Sequence, residues 1–86
     1  MTKIHVAIYS RPDCHLCEEA KAVVERVRAE VAFTLEEINI DEDPNLRAQF
    51  TNDVPVVFIN GRKAFKYRVE EAALLKRLRR LEKPAE

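Results

Sequence analysis

Hydrophobic residues along this chain change their spacing several times, and each change marks an element. Ile4, Val6 and Ile8 alternate with His5, Ala7 and Tyr9, which predicts a strand over residues 3–9. Ser10-Arg11-Pro12-Asp13 breaks it. Leu16, Ala20, Val23, Val24, Val27 and Val31 then recur at helical spacing, so a helix is expected to about Glu30. Glu18, Glu19, Lys21, Glu25, Arg26 and Arg28 fall on its other side. A second strand is expected over residues 33–39. Phe33 and Leu35 share one parity there, and Ile38 and Ile40 the other. Glu36-Glu37 is therefore expected to mark a bulge or the strand's exit from the sheet.

Asp43-Pro44 reads as a helix cap followed by proline at the first helical position. Leu46 and Phe50, four apart, predict a short helix that Thr51-Asn52-Asp53 ends. The apolar run Val54-Pro55-Val56-Val57-Phe58-Ile59 predicts a strand covered on both faces. Asn60-Gly61 follows as a hairpin signal, because both turn residues must take φ > 0. Its partner strand is expected over residues 62–67. Leu74, Leu75, Leu78 and Leu81 predict a last helix over residues 69–81, whose start carries no Ser, Thr, Asp or Asn cap. The order β-α-β-α-β-β-α implies an α/β fold with a four-stranded mixed sheet flanked by helices. Its first strand pair is parallel through a right-handed crossover, and the hairpin is antiparallel.

With 86 residues, of which 47% are hydrophobic, the chain is expected to form one domain with one core, ending in a short tail over residues 82–86. Its longest apolar run falls far short of the roughly 18 residues of a membrane span. Met1-Thr2-Lys3-Ile4-His5 lacks the apolar stretch of a signal peptide. A soluble, cytoplasmic protein is expected, with no membrane partner. Fifteen basic and 15 acidic residues balance overall, but residues 62–86 hold nine basic against four acidic, a local charge of +5. That quarter reads as a solvated helix face beside a short tail, and a nucleic-acid partner is not expected.

Both cysteines lie together, at Cys14 and Cys17. A disulfide scaffold would spread its cysteines along the chain, whereas a lone C-x-x-C in a cytosolic context reads as chemistry. Cys14 falls where the first strand gives way to the first helix. Unsatisfied N–H groups at a helix start attract negative charge and favour the thiolate, the reactive form of cysteine. Cys17 lies one turn on, with Cβ atoms about 5–6 Å apart, within reach of disulfide closure after small adjustment. Arg11 and His15 are candidates for tuning the thiolate, while Asp13, Glu18 and Glu19 oppose it. Three other readings stay open: a structural buried pair, a zinc site completed by His5 or His15, and an iron–sulfur cluster shared by two chains. No metal ligand set is expected within one chain, and His5 is expected to be structural.

Pro55 opens a strand after a polar loop, where proline costs no ladder bond. Together with Ser10-Arg11-Pro12-Asp13-Cys14-His15-Leu16-Cys17, the block Val54-Pro55-Val56-Val57-Phe58-Ile59-Asn60-Gly61 resembles the thioredoxin superfamily. The resemblance is to its small glutaredoxin-like branch and covers about residues 3–81. It implies a thioredoxin-like fold and a cis Pro55 beside the cysteines. It also implies that the backbone of Val54 pairs with an extended stretch of substrate. The pattern departs from the family in places. Glutathione-using glutaredoxins usually carry C-P-Y-C and a Gly-Gly pair after the last strand. Here the residues are Cys14-His15-Leu16-Cys17 and Phe65-Lys66-Tyr67-Arg68-Val69-Glu70-Glu71. Thioredoxins usually have a Trp before C-G-P-C and a buried acid on the preceding strand, and this chain has neither.

The reading is a small thiol–disulfide oxidoreductase, with Cys14 as nucleophile and Cys17 as resolving cysteine. Its substrates are disulfide-containing proteins or small thiols, it acts as a monomer, and it needs no cofactor. Glutathione is not expected as reductant. The alternatives are an iron–sulfur or metal-holding module, and a redox-inactive interaction domain that docks an acidic partner on its basic last helix.

Overall fold

A computed structural model describes residues 4–50 and 53–82. Its elements are β1 (His5–Ser10), α1 (His15–Arg28), β2 (Thr34–Asn39), a 3-10 turn (Ile40–Glu42), α2 (Pro44–Phe50), β3 (Val56–Ile59), β4 (Arg62–Lys66) and α3 (Glu71–Glu82). The four strands form one sheet in the order β2-β1-β3-β4. β1 and β2 run parallel, and β3 pairs antiparallel with both β1 and β4. Asn60 and Gly61 turn the hairpin with φ of 52° and 83°, as a two-residue turn of this twist demands. The Asn60 side chain also fastens the turn to β1, its Oδ1 accepting from the His5 N–H at 2.9 Å. Among the described residues no helix is long and apolar enough to cross a membrane.

Side-chain alternation sends the sheet's apolar residues to both faces. Val6 and Ile8 of β1 and Val57 and Ile59 of β3 meet Ala20, Val24 and Val27 of α1 and Leu74 and Leu78 of α3. All are buried, and this is the larger cluster. The smaller one gathers Cys17, Ile40, Phe50, Val54 and Val56, with Tyr9, Cys14, Leu46 and Phe58 packed against it. Tyr9, Phe50 and Phe58 form an aromatic knot there, with centroids 5.1 Å apart for Tyr9–Phe50 and 5.2 Å for Tyr9–Phe58.

Several sequence expectations need correction. β2 pairs with β1 in unbroken register through Glu36 and Glu37, so no bulge or exit occurs there. β2 is an edge strand with half-wet faces, and such a strand does not enforce strict alternation. The irregularity lies on β4 instead. Val57 pairs with Phe65 but Phe58 with Lys63, leaving Ala64 extra. Ala64 and Phe65 accordingly both reach the larger cluster. On α1 the buried stripe is Cys17, Ala20, Val24 and Val27, while Leu16 and Val23 stay half-exposed at its flank. Leu81 is 45% exposed rather than core. α3 starts at Glu71 and takes in Glu82, so the tail expected from residue 82 starts no earlier than 83. Residues 83–86, Lys3 at the first strand's expected start, and Thr51-Asn52 at the end of α2 lie outside the described residues.

Candidate active site

The backbone makes an abrupt turn between β1 and α1. Asp13 takes φ 58°, a left-handed conformation that aspartate tolerates better than most residues. Cys14 follows with extended angles (φ −110°, ψ 109°) and serves as the cap of α1. Its Sγ accepts a hydrogen bond from the Cys17 N–H at 3.2 Å, and its carbonyl accepts from the Glu18 N–H at 3.1 Å. Sulfur thus occupies the place where a Ser or Asp oxygen usually satisfies the orphan donors of a helix start.

Cys14 and Cys17 are joined as a disulfide, with Cα atoms 5.2 Å apart. The two are unequal. Cys17 is fully buried among Ile40, Phe50, Val54 and Val56, whereas Cys14 is partly open. A reagent from solvent therefore reaches the pair through Cys14. In the reduced state the Cys17 N–H and the aligned peptide dipoles of the 14-residue α1 favour negative charge on the Cys14 sulfur.

Val54 packs in the same cluster as Cys17, and Val54 and Pro55 are both buried, with a cis peptide between them. Val54 stands outside the ladder, whose first β3 pairs are Val56↔Tyr9 and Val56↔Lys66. The Pro55 carbonyl accepts from the Tyr67 N–H at 2.7 Å. The Tyr67 hydroxyl donates to Asp53 Oδ1 at 3.1 Å, and Lys66 Nζ lies 3.3 Å from the same oxygen. Lys66 Nζ also sits 5.1 Å from the Tyr67 ring centroid. The bonds from Tyr67 and Lys66 hold the Asp53 carboxyl below its usual range, and the bond to Asp53 holds the Lys66 ammonium above its own. This fastening ties the loop carrying Val54 to the end of β4. Sequence reading missed it, for Tyr67 holds φ 68° where glycine is the usual signal.

The other sequence candidates lie nearby with partners of their own. His15 is almost fully exposed, and its Nε2 meets Glu19 Oε2 at 2.9 Å. Arg11 reaches Asp41 Oδ1 at 3.7 Å, and Arg47 approaches the same carboxylate at 3.6 Å. His5 points to β2, where its Nδ1 contacts Thr34 Oγ1 at 3.0 Å and its Nε2 contacts Glu36 Oε1 at 3.1 Å. Among the described residues no three His, Cys, Asp or Glu side chains group to hold a metal ion. A metal or cluster on the two sulfurs would need further ligands from outside this set. Beside the dithiol a groove of about 450 Å³ runs between α1 and the segment leading into α3. It is lined by Leu16, Val23, Phe65 and Val69, with Glu19, Arg68 and Glu70 among its polar groups.

The family model for the glutaredoxin-like domain (DUF836) matches residues 5–79. A glutaredoxin-like protein of Dictyostelium discoideum, a homologue of YDR286C, is 39% identical over 77 residues, covering 83% of this chain and 71% of that one. A thioredoxin of Methanocaldococcus jannaschii is 36% identical over 64 residues, covering 71% of this chain and 75% of its own. Among solved structures, chloroplastic thioredoxin z superposes with a TM-score of 0.76, covering 93% of this chain and 79% of its own. At 16% identity that likeness speaks for the fold alone. A thioredoxin fold with a disulfide-forming pair at its first helix, matched by the family model across both sequence blocks, makes this chain a member of the glutaredoxin-like (DUF836) family.

Proposed function

We propose that this protein is a thiol–disulfide oxidoreductase that reduces disulfides through Cys14 and Cys17. One observation carries the reading. The sulfur of the partly open Cys14 caps α1 and accepts the Cys17 N–H, while its bonding partner Cys17 is buried one turn on. In the reduced protein the Cys14 thiolate attacks one sulfur of a substrate disulfide. A mixed disulfide forms, and the first substrate sulfur leaves as a thiolate that takes up a proton. The Cys17 thiolate then attacks Cys14 Sγ, the second substrate sulfur leaves, and the Cys14–Cys17 disulfide closes. Two electrons pass to the substrate, and an external thiol returns the pair to the dithiol.

The remaining parts support substrate handling. Val54, lying just outside the ladder, offers its backbone to an extended stretch of polypeptide, a one-residue form of strand addition. The groove at Leu16 presents an apolar wall with two acids and one arginine among its lining residues. That charge balance suits a polypeptide better than the two carboxylates of glutathione. Protein disulfides are therefore the favoured substrates, and an external dithiol is the favoured electron source. The dithiol is complete within one chain and needs no partner subunit. The reading places the protein in a reducing, cytoplasmic compartment, where the pair is returned to the dithiol.

The test is reduction of insulin disulfides with dithiothreitol as electron source. Wild type accelerates it and Cys14→Ser does not; equal rates for the two contradict the reading. A midpoint potential of about −200 to −270 mV is expected, the range spanned by glutaredoxins and thioredoxin.

A further inference from the structure

A groove of about 750 Å³ lies away from the dithiol, between the β3–β4 hairpin and α3. Ile59, Phe65 and Leu81 supply its apolar surface. Leu81, at 45% exposed, is one of two large apolar side chains left open among the described residues. Arg62, Lys76, Arg77 and Arg80 also line it, and among the described residues no acidic one does. Arg79, on the same helix, meets Glu30 at 3.5 Å and Glu82 at 3.9 Å, and Arg26 meets Glu71 at 2.8 Å. Among the described residues the four groove cations have no ion-pair partner. Four like charges around one hollow repel each other, and an anionic occupant relieves that repulsion.

Chemistry narrows the occupant. A small anion would use the cations but leave the apolar surface wet. A single-stranded nucleic acid needs aromatic faces for its bases, and among the described residues the one aromatic lining residue is the half-buried Phe65. An acidic polypeptide with an apolar side chain satisfies both parts at once. The groove also adjoins the one beside Leu16, since Phe65 and Ala73 line both. An extended segment has room to run along α3, which a compact ligand does not exploit.

We propose that this groove binds an acidic segment of a partner protein, anchored by a leucine or phenylalanine against Ile59, Phe65 and Leu81. The site is independent of the thiol chemistry and is tested by binding alone. The probe is a fluorescein-labelled peptide of about twelve residues, Asp and Glu interrupted by Leu and Phe, titrated with the full chain and read by anisotropy. Saturable binding is expected, weakening about tenfold in the double variant Arg77→Glu/Arg80→Glu and also weakening as salt is raised. Circular dichroism verifies that this variant folds; should it not, Arg77→Gln/Arg80→Gln serves, with a smaller loss in the same direction. The proposal is overturned by absence of saturable binding or by equal binding to the folded variants. It is also overturned if a peptide with Asn and Gln in place of the acids binds equally, or if a single-stranded oligothymidylate binds more tightly than the acidic peptide.

Discussion

The two apolar clusters are built in different ways. The one shared with α1 and α3 comes from regular elements meeting at their own periods: Val6 and Ile8 at period two, Val24 and Val27 on a helical stripe, Leu74 and Leu78 one turn apart. The one around Cys17 draws on element ends and connections: Ile40 from the 3-10 turn, Phe50 from the last position of α2, Val54 from a loop. Lost volume in regular packing is costly, but that packing carries no chemistry. The irregular cluster stations a sulfur next to a strand end that stands outside the ladder. Stability and reactivity thus draw on different clusters, joined through α1, and mutations in the two should fail differently.

The largest effect is expected on the reactive side. Cys14→Ser should lower disulfide reduction about a thousandfold or more while unfolding stays nearly as in the reduced wild type. Cys17→Ser should instead accumulate mixed disulfides with protein targets, visible on non-reducing gels, because the sulfur that resolves them is gone. On the regular side, Leu74→Ala should cost about 2–5 kcal/mol in urea unfolding, since a fully buried leucine leaves a cavity. Activity per folded molecule should be unchanged. Equal activity losses in Cys14→Ser and Leu74→Ala, normalised to folded protein, would erase the distinction.

A smaller effect sharpens it. Tyr67→Phe removes the hydroxyl that holds Asp53 and loosens the loop carrying Val54. It should raise KM for a protein disulfide a few-fold, leaving reduction of a small aromatic disulfide almost untouched. The pH dependence of that fastening is smaller still. Asp53 titrates below its usual 3.8, so its contribution is complete above that value and fades as pH falls through the lowered pKa. Lys66 titrates above its usual 10.5, so its contribution is complete below that value and fades as pH rises through the raised pKa. NMR of the Asp53 carboxyl carbon should show a midpoint below 3.8 that moves up in Tyr67→Phe. An unmoved midpoint would mean that the hydroxyl does not hold the carboxylate.

The same division governs what was legible in the sequence. The larger cluster announces itself, because Ile4, Val6, Ile8 and the α1 valines repeat at the period of their elements. Cys14 and Cys17 were legible too, as a local motif at a predicted strand–helix junction. What stayed hidden depends on pairings distant in sequence or on backbone angles that side-chain type does not encode. Tyr67 meets Asp53 fourteen residues away, and nothing about a tyrosine advertises φ 68°. Leu16 and Leu81 carry the hydrophobicity of core residues, yet both lie at groove walls, because helical spacing does not reveal how far the sheet extends beneath a helix. The straight passage of β2 through Glu36-Glu37 has the same origin: at an edge, solvent accepts either parity.

The inequality of the two sulfurs is the claim that everything about the site rests on, and alkylation of the reduced protein probes it directly. Reduced protein is treated briefly with iodoacetamide at neutral pH, and the labelled cysteine is located by peptide mass spectrometry. Label is expected on Cys14 well before Cys17, with both labelled once the chain is unfolded in urea. Label on Cys17 as fast as on Cys14 in the folded protein, or no faster labelling of Cys14 than in the unfolded chain, would contradict the account.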